Sequence, residues 1–599
     1  MEEKIRSPIV VTVGHVDHGK CLHPEEKIIL SSGETLKISN LFDGKSSEFI
    51  KKHINVLSTD GKCIKQSVAT HVWKIKNSNF LYEMKLKNGM KIRVTEEHPF
   101  LTLNGWKSCK ELKKRERIAV PLKLNINASI EKWKEEFAKI LLNSPKFVFR
   151  LKEKFLEKVK STESIESWRK KSNIFRSEDI QKIACELKVS FSEIFDEIKY
   201  FKSAARKQRC SHMEKWLKLP KNWEKVFYLF GFMVSNSTSG FKMVTNSKKY
   251  LLLKLNNILK EFGCELRIFK DRTTLSANIK GGKTLSSFVS EIFEFPLRKK
   301  SKKVRVPRIV MLAPNNFVSK FIRGIFDTDG YVDINSCRIE ITFASRELIE
   351  DLTTLLLRFG ITSSVRKKVG EKGKYFTLKI SGKDNLELFF RLIGSEEKEK
   401  RKRLKKILKK SKRQDLINKT IAISNKLLEK IRAFLILSER DLRNFPYWRK
   451  LTKTTIERWN RFLNFAEKIV SSEKWKKRKE NYIKKIEERK INGNFFKFLL
   501  SLGIIDENKE LTDFGKEVLQ FWKYGKEKEL IEDLKIGEIG FVEIEDIRKI
   551  KYDGFVYDLT TSYQNFIANN ILVHNTTLLD CIRGTTVTRL EPGELTQHV

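Results

Sequence analysis

Residues 14–21 read GHVDHGKC, a phosphate-binding loop that breaks at its last residue. A loop of the form G-x-x-x-x-G-K requires Ser or Thr next, because that hydroxyl holds the Mg2+ beside the nucleotide phosphates, and a helix must follow. Gly14, Asp17, Gly19 and Lys20 are in place after the strand-like run PIVVTV, yet position 21 is Cys and the next stretch, LHPEEKIILSSGETLKI, has no helical period. The missing half lies at the far end. Thr576-Thr577-Leu578-Leu579 opens a helix with Leu578, Leu579 and Ile582 on one face and Gly584 as its stop. Joining Lys20 to Thr576 restores strand, loop and helix together. Residues 21–575, 555 in number, therefore read as an insertion.

The junctions carry chemistry that can remove it. A Cys21 thiol can attack the Lys20 carbonyl and turn that peptide bond into a thioester. The Thr576 hydroxyl can take the acyl group, Asn575 can cyclise onto its own carbonyl, and an O-to-N shift leaves a Lys20–Thr576 peptide. Every step is nucleophilic acyl transfer. His574 is placed to hydrogen-bond the Asn575 carbonyl.

With these residues the insertion resembles an intein, whose all-β fold is shared with hedgehog autoprocessing domains. CLHPEEKIILSSG resembles the family's first splicing block. GMKIRVTEEHPFLT resembles the second, with Thr95 and His98 in its T-x-x-H pattern, and GFVYDLTTSYQNFIANNILVHN resembles the last two. The resemblance implies that His98 polarises the first scissile peptide and that Asp558 coordinates the first two steps. It implies no cofactor for splicing. Where many members have His before Asn-Phe, this chain has Gln564, which cannot shuttle a proton near neutral pH.

A splicing domain fits roughly 21–125 plus 535–575, so the middle must do something else. FGFMVSNSTSGFKMVTNSKKYLLLKLNNILKEFGCELRIFK is echoed by RGIFDTDGYVDINSCRIEITFASRELIEDLTTLLLRFGITSSVRKK, with Phe262-Gly263 answered 97 residues later by Phe359-Gly360. FIRGIFDTDG resembles the LAGLIDADG motif of homing endonucleases. That α/β fold implies two motif helices, each delivering a carboxylate to Mg2+ beside a phosphodiester of double-stranded DNA. Asp329 is the metal-binding acid of the second motif. The first offers Asn236, a neutral oxygen, so cleavage is expected to be impaired. Lys374 is the candidate active-site lysine. Residues 216–400 are assigned to this repeat, 126–215 to a helical insertion and 401–534 to a basic helical, DNA-recognising region. Lys400 to Arg413 holds ten basic residues in fourteen, and Trp448, Trp459 and Trp475 lie among the cations that follow.

Net charge supports a polyanionic partner. The first twenty residues are neutral and the last twenty-four carry −1, so of a chain at +46 the insertion holds +47. Eight scattered Cys with no C-x-x-C exclude a zinc ribbon or a disulfide framework. No run of 18 apolar residues and no apolar leader occur, so a cytoplasmic protein without membrane contact is expected.

The host ends, 1–20 and 576–599, resemble the amino-terminal part of a P-loop α/β translational GTPase. GHVDHGKTTL, mended, is typical of translation factors, and GELTQHV is closest to the initiation factor two/five-B family. This implies GTP and Mg2+ held by Lys20, Thr576 and Thr596 after splicing, with the ribosome and initiator tRNA as partners. An ATPase remains the alternative for the host, because no N-K-x-D guanine motif is present. For the chain as a whole, two alternatives stay open: a DNA endonuclease with incidental ends, or a stable unspliced fusion. The expected class is thus a multidomain α+β protein.

Overall fold

The computed structural model describes residues 20–575 except 45–48, 62, 78–79, 103–104, 127, 205–214, 239–240, 272–273, 281, 297–299, 371–372, 412–419, 423–424, 444, 446–452 and 536. Gly14, Asp17, Gly19, Thr576, Thr596 and Trp448 lie outside the described residues. The described chain forms two compact units, one of 20–28, 37–122 and 415–575, the other of 29–36 and 123–414.

The first unit is built on long antiparallel strands in which the end of the chain is threaded among its beginning. Ile539–Lys551 pairs along its first part with Arg117–Pro121 and along its second with Phe80–Leu86. Gly554–Thr561 pairs with Ile64–Asn77, which also pairs with Phe49–Thr59. Short strands such as Lys91–Val94 and Pro99–Thr102 alternate buried and partly exposed residues, placing Ile92, Val94 and Phe100 in the core. The last hairpin, Asn565–Ala568 with Ile571–His574, is buried along both strands, as its unbroken apolar run FIA…ILV predicts.

The same unit holds a helical region between Asn425 and Leu534, with a small ribbon pairing Thr420–Ala422 and Lys453–Thr455. Its tryptophans correct the sequence reading. Trp459 and Trp475 are core residues, 1% and 3% exposed, whose indole N–H groups donate to the Leu534 and Leu435 carbonyls at 2.8 Å. Indoles so enclosed cannot stack on bases. Cations beside them in sequence cover the outer face instead.

In the second unit the segment 126–215 is not purely helical. Phe147–Leu151 is the centre of a three-stranded antiparallel sheet between Phe175–Arg176 and Ile198–Ser203. Phe147, Phe149 and Leu151 alternate into the core, a period of two obscured in the sequence by surrounding Lys and Glu. The repeat then follows. Both halves run helix, strand, helix, hairpin, helix, from Trp223–Asn236 to Gly282–Ile292 in the first and from Asn315–Asp329 to Lys383–Leu388 in the second, where the strand position is filled by the hairpin Gly330–Asp333 with Arg338–Phe343. Gly263 and Gly360 both take left-handed φ, +81° and +71°, closing the middle helix of each half at the predicted Phe-Gly pair. The unit continues beyond residue 400, through the basic helix Lys398–Lys410.

Candidate functional site

Lys20 and Cys21 lie on the first unit's strands through Leu22, which exchanges backbone hydrogen bonds with Tyr557 (2.7 and 2.9 Å) and also bridges Val94. Antiparallel register then sets Asp558 opposite Cys21. Both are fully buried, and Asp558 Oδ1 accepts the Leu559 N–H at 2.8 Å. Thr95, one residue past the strand Lys91–Val94, meets Cys21 on both sides. The Cys21 N–H donates to Thr95 Oγ1 at 2.7 Å, and the Thr95 N–H donates to the Cys21 carbonyl at 3.0 Å. The Cys21 N–H belongs to the Lys20–Cys21 peptide bond, so Thr95 holds the amide that would depart.

His98 is buried, with its ring beside the Lys20 backbone. Burial drives its pKa down to about 3; the Lys20 backbone opposes this, and the His574 and Lys20 charges reinforce it. The ring is therefore a neutral base facing Lys20. His574 is also buried rather than on the surface, with Trp106 edge-on at 4.7 Å. Its Nδ1 lies 2.6 Å from the Asn575 carbonyl oxygen. A carbonyl only accepts, so this nitrogen carries the proton and polarises the Asn575–Thr576 bond. The Asn575 N–H donates to the Gln564 carbonyl at 2.9 Å, while its fully buried carboxamide makes no hydrogen bond among the described residues.

Gln564 takes a left-handed φ of 55° with its side chain exposed, and it is the backbone that touches Asn575. Two residues escaped the sequence reading. Asn565 fixes the hairpin through its carboxamide, which bonds both the N–H and the carbonyl of Thr59 (2.8 and 2.9 Å). Glu26 is almost wholly buried against Arg93 at 2.7 Å, and burial lifts its pKa to about 7 against the pull of Arg93 and Asn569. A buried carboxylate in a charged surface stretch, PEEK, gives no signal in sequence.

Residues 28–575 match the family of the intein splicing domain. The chain belongs to that family. Among curated proteins, "Probable translation initiation factor IF-2" of Methanocaldococcus jannaschii is 38% identical over 100% of this chain and 51% of its own length. The counterpart from Thermococcus kodakarensis is 33% identical over 100% of this chain and 52% of its own. The chain thus spans about half the length of the curated relatives it matches. Among solved structures, I-DmoI in complex with DNA and Mn is similar at TM-score 0.23 and 18% identity, over 29% of this chain and 98% of that one.

The intein's second unit holds the two motif helices, Trp223–Asn236 and Asn315–Asp329. They cross at Gly231 and Gly324 in a reciprocal contact: a Cβ on Gly231 would overlap the Phe321 carbonyl oxygen, and one on Gly324 the Tyr228 carbonyl oxygen. Asn236 and Asp329 are the last residues of these helices. Asp327 is buried and accepts from the Tyr228 hydroxyl at 2.9 Å, the Glu396 N–H at 3.1 Å and the Ser395 hydroxyl; burial raises its pKa despite these bonds. Lys400 returns from the basic helix, its Nζ donating to the carbonyls of Phe326, Asp327 and Thr328 at 2.7, 2.9 and 3.1 Å. Burial lowers the Lys400 pKa to about 8, opposed by Asp327, Glu397 and Asp329.

Lys374 is not the lysine beside Asp329. It pairs with Val369 near the tip of a hairpin, while Gly330, next to Asp329, is aligned through Ile341 with Leu378. Four residues of strand separate the two levels, roughly 13 Å. Lys400 takes that place, and its position in a run of cations hid it. No group of three His, Cys, Asp or Glu able to hold a metal occurs among the described residues. One acid and one amide do not fit a paired-carboxylate Mg2+ site. No helix among the described residues is long and apolar enough to cross a membrane.

Proposed function

We propose that this chain is a self-splicing precursor in which residues 21–575 excise themselves and join Lys20 to Thr576. The observation that carries the reading is the state of the two junctions: Thr95 holds the Cys21 N–H at 2.7 Å, and the His574 ring lies 2.6 Å from the Asn575 carbonyl oxygen. In the first step the Cys21 sulfur bonds to the Lys20 carbonyl carbon. Neutral His98 takes the thiol proton and returns it to the Cys21 nitrogen as the C–N bond breaks. Thr95 holds that nitrogen in place. The Thr576 hydroxyl then displaces the Cys21 sulfur, passing its proton to it and leaving an ester.

In the third step the Asn575 side-chain nitrogen bonds to its own carbonyl carbon, which the His574 N–H polarises. The bond to Thr576 breaks, a carboxamide proton moves to the departing amine, and the insertion leaves as a succinimide. The freed Thr576 amine then attacks the ester and forms the peptide bond. The product restores G-x-x-x-x-G-K-T, with Gly14, Asp17, Gly19, Lys20, Thr576 and Thr596 as the host's nucleotide and Mg2+ residues. GTP rather than ATP is proposed from the translation-factor character of the ends. Ribosome and initiator tRNA are the proposed partners of the completed host.

Double-stranded DNA is the proposed partner of the repeat and its basic helix. Leu404 and Ile407 bury one face of Lys398–Lys410, while Arg401, Lys402, Lys405, Lys406 and Lys409 are exposed, a spacing suited to phosphates. The test of splicing is intact-mass spectrometry of the expressed chain beside its Cys21→Ala, Asn575→Ala variant. Splicing yields a 555-residue insertion and a ligated 44-residue peptide from the unaltered chain only. A single 70.3 kDa species from both would refute it.

A further inference from the structure

The hairpin that ends in His574 and Asn575 turns at Asn569–Asn570, with positive φ at both (49° and 59°), the geometry of a two-residue type I′ turn. The Asn569 side chain does more than permit that turn. Its Oδ1 accepts the Lys27 N–H at 2.8 Å, and its Nδ2 donates to the Lys91 carbonyl at 2.9 Å and to the Glu26 carboxylate. Its own N–H donates to the Lys27 carbonyl at 2.9 Å. One carboxamide thus ties the C-terminal hairpin to the segment that follows Cys21 and to the strand that leads into Thr95.

Glu26 extends the tie. Its other oxygen accepts from Arg93 Nε at 2.7 Å, and the Arg93 carbonyl accepts the His23 N–H at 3.0 Å. His23 is two residues from Cys21, and Arg93 two from Thr95. Four residues of hairpin, 570–573, separate Asn569 from His574. The segment that follows Cys21, the strand that leads into Thr95 and the hairpin that ends in His574 and Asn575 are therefore all fastened to the Glu26–Asn569 pair.

We propose that Asn569 and Glu26 are positioning residues that hold the two scissile bonds to one frame, so that the junctions react as an ordered sequence and not as separate cleavages. This rests on the splicing reading above. Only a carboxamide offers one acceptor and two donors at that point. Aspartate at 569 removes both donors and sets a second carboxylate against Glu26, and glutamine at 26 then supplies a donor to that aspartate.

The experiment compares the full chain with N569D and with N569D/E26Q, measuring ligated and singly cleaved products by intact mass and folding by thermal unfolding. N569D should lower the ratio of ligated to singly cleaved product by about tenfold, the worth of one buried polar contact. The paired exchange should recover most of it. The inference is overturned if N569D keeps a product ratio within twofold of the unaltered chain. It is also overturned if the exchange restores the unfolding temperature without restoring ligation, since the pair would then be structural alone. A chain that stays whole without any substitution overturns the splicing reading and this inference with it.

Discussion

The Cys21 N–H donates to Thr95 Oγ1 at 2.7 Å, and the Thr95 N–H answers to the Cys21 carbonyl at 3.0 Å. This exchange places a hydroxyl on the nitrogen of the Lys20–Cys21 bond before any reaction begins. It holds the group that would depart.

Thr95→Val keeps the shape and removes the acceptor. The change removes one buried hydrogen bond from the amide that would depart, so thioester formation should slow by about 10- to 100-fold. Cleavage at Lys20 by added dithiothreitol, followed in an Asn575→Ala background, measures that step alone. An unchanged rate would deny Thr95 its role.

His98 makes the first unit sensitive to acid. Its folded pKa of about 3 lies below the free value of 6.5, because burial disfavours the imidazolium. The stability it contributes is present above pH 6.5 and is lost as pH falls from there towards 3. At pH 5 the loss is about 2 kcal/mol. His23, whose pKa burial and Arg93 bring to about 4, adds a smaller loss of the same sign. Urea midpoints of the Cys21→Ala, Asn575→Ala chain between pH 8 and 4 should show the slope, and adding His98→Leu should flatten much of it. Equal slopes with and without His98 would contradict the assignment.

Asn575→Ala should stop the chain at the branched ester, because the third step loses its nucleophile while the first two keep theirs. A species of full mass with two amino termini is the expected product in sequencing. Release of the host's C-terminal piece from that variant would show a route that does not use the carboxamide.

Gly231→Ala tests the close crossing of the motif helices. The new methyl has no room against the Phe321 carbonyl, and either the helices part or the repeat unfolds. A loss of about 1–3 kcal/mol is expected, read as a lower unfolding temperature. Substitution at Gly263, with no atom near its Cβ, strains only the left-handed backbone and should be milder.

Asn236 predicts a nuclease without its second acid. With Mg2+ the chain should bind DNA carrying the uninterrupted gene junction and leave it uncut, and Asn236→Asp should introduce nicking or cutting. Efficient double-strand cleavage by the unaltered chain would overturn this.

Much of the chemistry was legible in the residues. The broken loop at Lys20 and its repair at Thr576 pointed to an insertion, which agrees with the intein splicing family matched over residues 28–575, and Cys21, His574 and Asn575 stand within two residues of the breaks. The Phe-Gly pair at 262–263 and 359–360 announced the repeat because a left-handed helix end accepts few residues besides glycine. Local chemistry of that kind is written in consecutive positions.

Other features were decided by contacts across hundreds of residues, which no local pattern encodes. Burial turned His98 into a neutral base, made Trp459 and Trp475 core residues, and put Lys400 where Lys374 was expected. Asn569 reads in sequence as a turn residue only. It takes on its further bonds because strand pairing carries Glu26, Lys27 and Lys91 to it from the opposite end of the chain. Sequence by itself supplied the side chains able to react and the expectation of an insertion between two halves of one loop. Tertiary structure decided which of them meet and in what protonation state, because hydrogen bonding and desolvation depend on neighbours that only folding supplies.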